Sequence, residues 1–173
     1  MNIKIKQLSD EVLFAETDIV KIGSEVVEFL KVKANETSRK RIRLCMHNNH
    51  KDLFHEMIIV HPKGAYVRPH KHINKCESLS VIEGEAHLIF FTQEGDVDEV
   101  VKLAEFRNNN QFCCRIPKDI YHTLIITSEQ LVFHETTTGP FRRDGDIFPA
   151  WAPNENDMFS VEEYLNDLTN FIV

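Results

Sequence analysis

The sequence contains no apolar run that approaches the roughly 20 residues of a membrane-spanning helix. Its first residues alternate polar and apolar side chains, without the continuous apolar stretch of a secretory signal. Positive charge is also in deficit, because 20 Lys and Arg stand against 27 Asp and Glu, a formal net charge of −7. This balance gives no general attraction to nucleic acid or to an anionic membrane. We therefore expect a cytoplasmic protein whose partners include no nucleic acid and no membrane.

Cysteine is scarce and follows no metal-binding or redox pattern. The four cysteines include no CxxC spacing, so we expect reduced thiols that fill small apolar spaces. Repeats, low-complexity tracts and long linkers are absent as well. The 173 residues, of which 42% are apolar, therefore predict one domain, 1–173, with a full-sized core.

What the sequence does contain is period-two alternation from Arg39 onwards, interrupted by short turn segments. This pattern predicts an all-β sandwich or barrel over about 39–138. An N-terminal extension of strands and one helix, at about Gly23–Ala34, precedes it over about 1–38. A C-terminal loop and helix follow over about 139–173, and Ser160 with Glu163 predicts a capping box at the helix start.

A possible metal-ligand set begins with two histidines that are two residues apart. In a strand over Ala65–His70 and beyond, His70 and His72 project from one face, and a turn returns Glu77 at the start of the next strand. Two imidazoles and a carboxylate are suitable ligands for a divalent transition metal ion.

A third histidine, His122, shares a strand face with Leu124 and Ile126, which predicts that its side chain points inward. A buried imidazole needs a polar partner, and a metal ion is one such partner. The alternative is an ordinary hydrogen-bonded core histidine.

The segment Gly64–Gly84 resembles the first motif of the cupin family, G-x5-H-x-H-x4-E-x6-G, at every defining position. Around His122, Pro117 agrees with the second cupin motif, whereas Asp119 replaces its glycine and Ile126 its final asparagine. The resemblance implies a double-stranded β-helix barrel with an N-terminal and a C-terminal helix. It also implies one divalent ion (Zn, Mn, Fe, Ni or Co) held by His70, His72, Glu77 and His122. A degenerate cupin with an empty barrel is the alternative.

A finer resemblance is to the WbuC-like cupin-fold metalloproteins, which are associated with bacterial surface-polysaccharide gene clusters. It rests on Ser38–Arg41, His47, Tyr66–His72, Lys75, Glu77, Glu135, Gly139–Phe141 and Trp151–Pro153. It implies no established reaction. By analogy with cupins, a homodimer is the expected assembly.

Further pocket candidates follow from strand parity. Arg68 shares a face with the first two histidines, and Glu135 shares an apolar face with Leu131 and Phe133. A carboxyl group in that position has a raised pKa and suits a general acid or base, unless it is paired with Arg68 or with an arginine of the 39–43 segment.

Arg41 and His47 share one face of the first barrel strand. They form either an anion site at the mouth of the pocket or part of a solvated outer face. Tyr66 is either a hydrogen-bond donor to a small-molecule ligand or a packing residue.

Three functions are compatible with this ligand set. The first is an isomerase or epimerase acting on a sugar-type or small anionic substrate of surface-polysaccharide metabolism, with Glu135 or a histidine moving the proton. The second is a non-catalytic, metal-dependent binding protein for a small ligand. The third, with less support, is a dioxygenase.

Overall fold

The structure is a computed structural model that describes residues 3–108, 110–142 and 144–172. Met1, Asn2 and Val173, at the ends of the predicted extension and C-terminal helix, lie outside the described residues. The two helices are α1 (Ser24–Glu36) and α2 (Met158–Ile172). The strands are β1 (Ile5–Ser9), β2 (Val12–Ala15), β3 (Ile42–Cys45), β4 (Phe54–Pro62), β5 (Lys71–His72), β6 (Glu77–Glu83), β7 (Glu85–Phe91), β8 (Val97–Ala104), β9 (Cys113–Ile116), β10 (Tyr121–Ile126), β11 (Gln130–Thr138) and β12 (Asp146–Ile147).

The strands form two larger sheets and a small one. The larger sheets have the orders β1-β2-β3-β4-β11-β6-β9 and β10-β7-β8, and β12 pairs with β5. Apolar side chains from the two larger sheets meet in a buried core that includes Leu79, Leu88, Leu124 and Phe133. Because side chains alternate along a strand, the opposite faces need cover of their own.

The helices supply that cover. Val26, Leu30 and Ala34 of α1 pack on the outer face of the seven-stranded sheet, where Ile58 and Val60 are buried. Leu168 of α2 packs against Ile89 and Ile125 on the three-stranded sheet. None of the helices in the described part of the chain has both the length and the apolar character needed to cross a membrane.

The start of the C-terminal helix differs from the prediction. Helix α2 begins at Met158, two residues before Ser160. The Asp157 carboxylate accepts hydrogen bonds from the backbone N–H of Ser160 at 3.2 Å and from its hydroxyl at 2.7 Å. Asp157 therefore occupies the capping position that the sequence pattern assigned to Ser160.

The predicted strand Ala65–His70 is also wrong, because residues 65–69 are irregular and His70 forms only an isolated bridge with His122. Pro69 has no N–H to donate to a strand ladder, which explains the interruption. Two turn residues of the cupin-like segments have left-handed backbone conformations. Asp119 adopts a left-handed φ of 64°, and Gly84 has a φ of 89°, where an added Cβ would lie 2.1 Å from the Gln130 carbonyl oxygen.

Candidate metal centre

The backbone brings the three histidines together from two directions. His70 and His122 exchange backbone hydrogen bonds of 3.1 and 2.9 Å, which fixes β10 beside the segment that enters β5. His72 follows in β5, where it is the strand partner of Asp146 in β12. Glu77 begins β6 after the turn. Backbone hydrogen bonds therefore join the segments of His70, His72 and His122, whereas Glu77 comes from β6 of the seven-stranded sheet.

The four side chains converge on one point. One ligand atom from each of His70, His72, Glu77 and His122 lies within 4.8 Å of the others, and the group could hold a metal ion. Glu77 lies between two of the imidazoles: its Oε2 is 2.9 Å from Nε2 of His72, and its Oε1 is 2.8 Å from Nε2 of His122. Glu77, His72 and His122 are buried.

The outer nitrogen of every imidazole in the cluster is occupied. Nδ1 of His70 lies 2.8 Å from the Arg68 carbonyl, and Nδ1 of His122 lies 3.0 Å from the Ile120 carbonyl. Nδ1 of His72 lies 2.7 Å from Oδ1 of Asp146. These contacts orient the rings through Nδ1, as in metal-binding histidines, and the Nε2 atoms of His72 and His122 face the Glu77 carboxylate, with which they could share an ion. The donor set therefore fits one divalent transition ion.

Burial and neighbouring charges shift the pKa values of three residues of the cluster. Burial, together with His122, lowers the pKa of His70 to about 4. Burial alone would lower the pKa of His72, but the hydrogen bonds with Asp146 and Glu77 outweigh it and raise the pKa to about 9. Burial would raise the pKa of Glu77, yet His122 and His72 hold it well below its usual value. A metal ion would take the place of the proton on His72.

Asp146 is the residue that the sequence interpretation missed. It lies 74 residues after His72, in a two-residue strand, and 3.7 Å from Nζ of Lys75. No periodicity or motif distinguishes it, because only the pairing of β12 with β5 brings it to the cluster.

We expect Asp146→Ala to weaken metal binding by about 10–100-fold, because His72 loses the acceptor that orients its ring. Asp146→Asn keeps a hydrogen-bond acceptor without the charge, and its metal affinity is expected to lie between those of Asp146→Ala and the wild type. Competition with a chromogenic chelator measures the affinities. Asp144→Asn is the matched control, since Asp144 is exposed and pairs with Arg142. Equal affinities for Asp146→Ala and the wild type would contradict this role.

The cluster lines a cavity of about 220 Å³. Arg68 and Glu135, both predicted as pocket residues, line this cavity. Arg68 lies over the ring of Phe148, 4.9 Å from its centre, and donates a hydrogen bond to the Ala152 carbonyl. Burial, and secondarily Glu77, raises the pKa of Glu135 to about 7. Within the described residues the Glu135 carboxyl group forms no ion pair, so the salt bridge that was its alternative role is not formed.

Of the three remaining predicted pocket residues, one lines the cavity and two do not. Arg41 lines the cavity and is not on a solvated outer face; its Nε donates to Glu11 at 2.9 Å. His47 lies outside the cavity lining, stacked on His55 with 3.9 Å between ring centres. Tyr66 is also outside the lining, and its hydroxyl donates to the Pro153 carbonyl at 2.9 Å. The predicted ligand contacts of His47 and Tyr66 therefore give way to contacts within the protein.

Comparisons with known proteins bear on the fold. The sequence model of a domain of unknown function (DUF6016) matches residues 22–103, less than half of the chain. A search of curated proteins finds no significant match. Protein SO0799 from Shewanella oneidensis is 10% identical with a TM-score of 0.55, and the match covers 75% of this chain and 85% of that chain.

Two further solved structures are similar at a lower level. The cupin domain of Cnp3 from Schizosaccharomyces pombe is 11% identical with a TM-score of 0.46, over 58% of this chain and 66% of that chain. Oxalate decarboxylase from Lactobacillus farciminis is 18% identical with a TM-score of 0.45, over 56% of this chain. The match covers only 27% of the decarboxylase. At these identities the comparisons concern the fold alone. The predicted all-β fold with an N-terminal and a C-terminal helix is confirmed.

Proposed function

We propose that this protein is a metal-dependent cupin that binds and converts a small, oxygen-rich anionic substrate of the sugar type, as an isomerase or epimerase. One observation carries the proposal. A single cavity of about 220 Å³ is lined both by the His70–His72–Glu77–His122 donor set and by Glu135, a carboxyl group with a pKa of about 7. A group that titrates near neutral pH can both accept and donate a proton under ordinary conditions.

Different residues of the chain would bind the ion, orient a ligand ring and transfer the proton. His70, His72, Glu77 and His122 would hold the ion, and Asp146 would keep the His72 ring in place. A bound divalent ion would polarise a carbonyl or hydroxyl oxygen of the substrate. In an isomerisation, Glu135 would take a proton from the hydroxyl-bearing carbon beside the carbonyl and return it to the former carbonyl carbon, while the hydroxyl proton passes to the former carbonyl oxygen. In an epimerisation, the proton would return to the opposite face of the same carbon. Burial keeps this carboxyl group ready for both steps, because its neutral and charged forms are similarly populated near pH 7.

The test begins with elemental analysis of protein purified without a histidine tag. Protein reconstituted separately with Mn, Fe, Co, Ni and Zn is then incubated with sugars, sugar phosphates and nucleotide sugars. We expect a product of unchanged mass that is resolved by chromatography and NMR. Glu135→Gln is expected to lower the rate about 100-fold or more, while metal content stays the same. Less than about a tenth of an equivalent of metal after reconstitution would count against the whole proposal.

The other outcomes of the same experiment identify the alternative functions. Ligand-dependent thermal stabilisation without any product is the signature of a non-catalytic binding protein. Oxygen uptake by iron-loaded protein with a candidate substrate is the signature of a dioxygenase. Either result would replace the isomerase proposal and leave the metal site in place.

We also propose a role in bacterial surface-polysaccharide metabolism, which rests on the WbuC-like resemblance alone. The cytoplasmic location and the homodimer are likewise proposals, the first from the absence of a signal-like apolar stretch in the sequence and the second from the analogy with cupins. Light scattering of the purified protein tests the dimer, since a monomeric mass at micromolar concentration would remove it.

A further inference from the structure

The side chains that face the cavity are ordered in rows across four adjacent strands. Strand pairing places Glu135 beside Leu79 and Met57, and places Phe133 beside Val81 and Ile59. Arg43 belongs to the second of these rows, because it pairs with Ile59. Glu77 pairs with Thr137, and this row lies on the other side of the Glu135 row from the row of Arg43. Glu135 therefore lies between the row of Glu77 and the row of Arg43, with neighbouring rows about 7 Å apart.

Arg43 places a guanidinium group at this cavity. It lines the cavity and is half-buried. Its guanidinium group forms no hydrogen bond or ion pair with any side chain in residues 3–108, 110–142 and 144–172. Glu135 is near enough to feel its charge, but the two groups are not paired. A partly desolvated guanidinium is costly unless an anion reaches it.

The neighbouring arginines differ from Arg43 in this respect. Arg41 is neutralised by Glu11 at 2.9 Å and by Glu155 at 3.7 Å. Arg39 is bound by the same two carboxylates and does not line the cavity. Arg43 is thus the arginine of this segment whose charge remains available to a ligand.

His61 adds a neutral polar group at the same end of the cavity. It lines the cavity, is 7% exposed, and has a buried Nδ1 with no hydrogen-bond partner in the described part of the chain. Burial, and then Arg41 and Arg43, lowers its pKa to about 3. The imidazole therefore stays neutral and adds no competing charge beside Arg43.

We propose that Arg43 and His61 form an anion-binding subsite that holds a carboxylate or phosphate group of the substrate, at the end of the cavity opposite the metal-ligand cluster. The inference rests on the proposed function and specifies its substrate class. The substrate is a small acid with an anionic group at one end and a carbonyl or hydroxyl oxygen at the other. Glu135 lies between the two ends, beside the carbon atoms that connect them.

A series of dicarboxylates tests this arrangement, because one carboxylate can bind the metal while the other reaches Arg43. Calorimetry with Zn²⁺- and Mn²⁺-loaded protein measures the affinities of malonate, succinate, glutarate and adipate. Acetate, propionate, butyrate and valerate are the monocarboxylate references. We expect an optimum chain length at which the dicarboxylate binds about tenfold or more tightly than its reference. The pair succinate and 3-phosphonopropionate shows whether the subsite prefers carboxylate or phosphate.

Arg43→Gln is expected to remove this gain and to leave monocarboxylate binding and metal content unchanged. Arg39→Gln is the matched control, since it removes the same charge outside the cavity and should keep the gain. Arg43→Lys, which retains the charge, is the second variant should the glutamine variant not fold, and it should lose part of the gain. Dicarboxylates that bind no better than monocarboxylates, or an unchanged gain in both Arg43 variants, would overturn the subsite. Protein that takes up neither metal would instead overturn the proposed function on which the subsite depends.

Discussion

Glu77→Gln is expected to reduce metal affinity by at least about 100-fold and to remove the thermal stabilisation that metal gives the wild type. Glu77 is the anionic donor of the cluster, and it contacts the Nε2 atoms of both His72 and His122. A neutral amide is a poorer ligand for a divalent ion than a carboxylate is. Its NH₂ group would also face one of the two imidazoles.

The stabilisation by metal has a calculable size. An ion present at 100 times its dissociation constant stabilises the folded state by about 2.7 kcal/mol. For a chain of this length that corresponds to a rise in melting temperature of about 5–11 °C. Differential scanning calorimetry with and without metal measures it, and chelator should reverse it. Glu83→Gln is the control on the same strand, where the carboxylate pairs with Lys31 at the protein surface. A wild-type metal response in Glu77→Gln would exclude this residue as a ligand.

Glu135→Gln is expected to stabilise the metal-free protein at alkaline pH and to have little effect in acid. The pKa of Glu135 is raised from 4.5 to about 7 in the folded protein. The folded state therefore holds this proton more tightly than the unfolded chain does, and ionisation costs stability. That cost is absent below about pH 4.5, grows as the pH rises, and reaches its full value above about pH 7. Its size is about 3 kcal/mol, because one pKa unit corresponds to about 1.4 kcal/mol.

Glutamine removes the ionisation and keeps the shape of the side chain. We expect Glu135→Gln to melt several degrees above the wild type at pH 8 and at nearly the same temperature at pH 4.5. The gain should shrink when metal is bound, since the charge of Glu77 that contributes to the raised pKa is then offset. Glu99→Gln, an exposed residue of β8, is the control for loss of a carboxylate at the surface. An equal difference between variant and wild type at both pH values would show that Glu135 has an ordinary pKa.

Much of the candidate site was predictable because its residues obey strand parity over short distances. His122 with Leu124 and Ile126, and Glu135 with Leu131 and Phe133, alternate along single strands, so one apolar neighbour predicts which way the polar residue points. The structure places all four of those apolar residues in the core between the two sheets. The His70–His72–Glu77 spacing was likewise local, within one strand-turn-strand unit.

Strand parity predicts which face of a strand a side chain occupies, but it does not predict which residues that side chain contacts. This explains why His47 and Tyr66 do not line the cavity. His47 has the same parity as Arg41 and Arg43, yet it follows β3, where the chain turns away, and it stacks on His55 instead. The hydroxyl group of Tyr66 is bound by the carbonyl of Pro153, far along the chain. Nothing in the local sequence around either residue specifies these partners.

The β architecture, the two helices and the four residues that could hold a metal ion were predictable from local sequence, because strand alternation and the spacing within each of the two motifs are local features. Three relations appear only in the folded chain: Asp146 contacts His72, Glu135 has no salt bridge within the described residues, and Arg43 and His61 line the same cavity. These relations depend on strands that are distant in sequence but paired in space. Their pairing is decided by the packing of the whole core, which no local pattern contains.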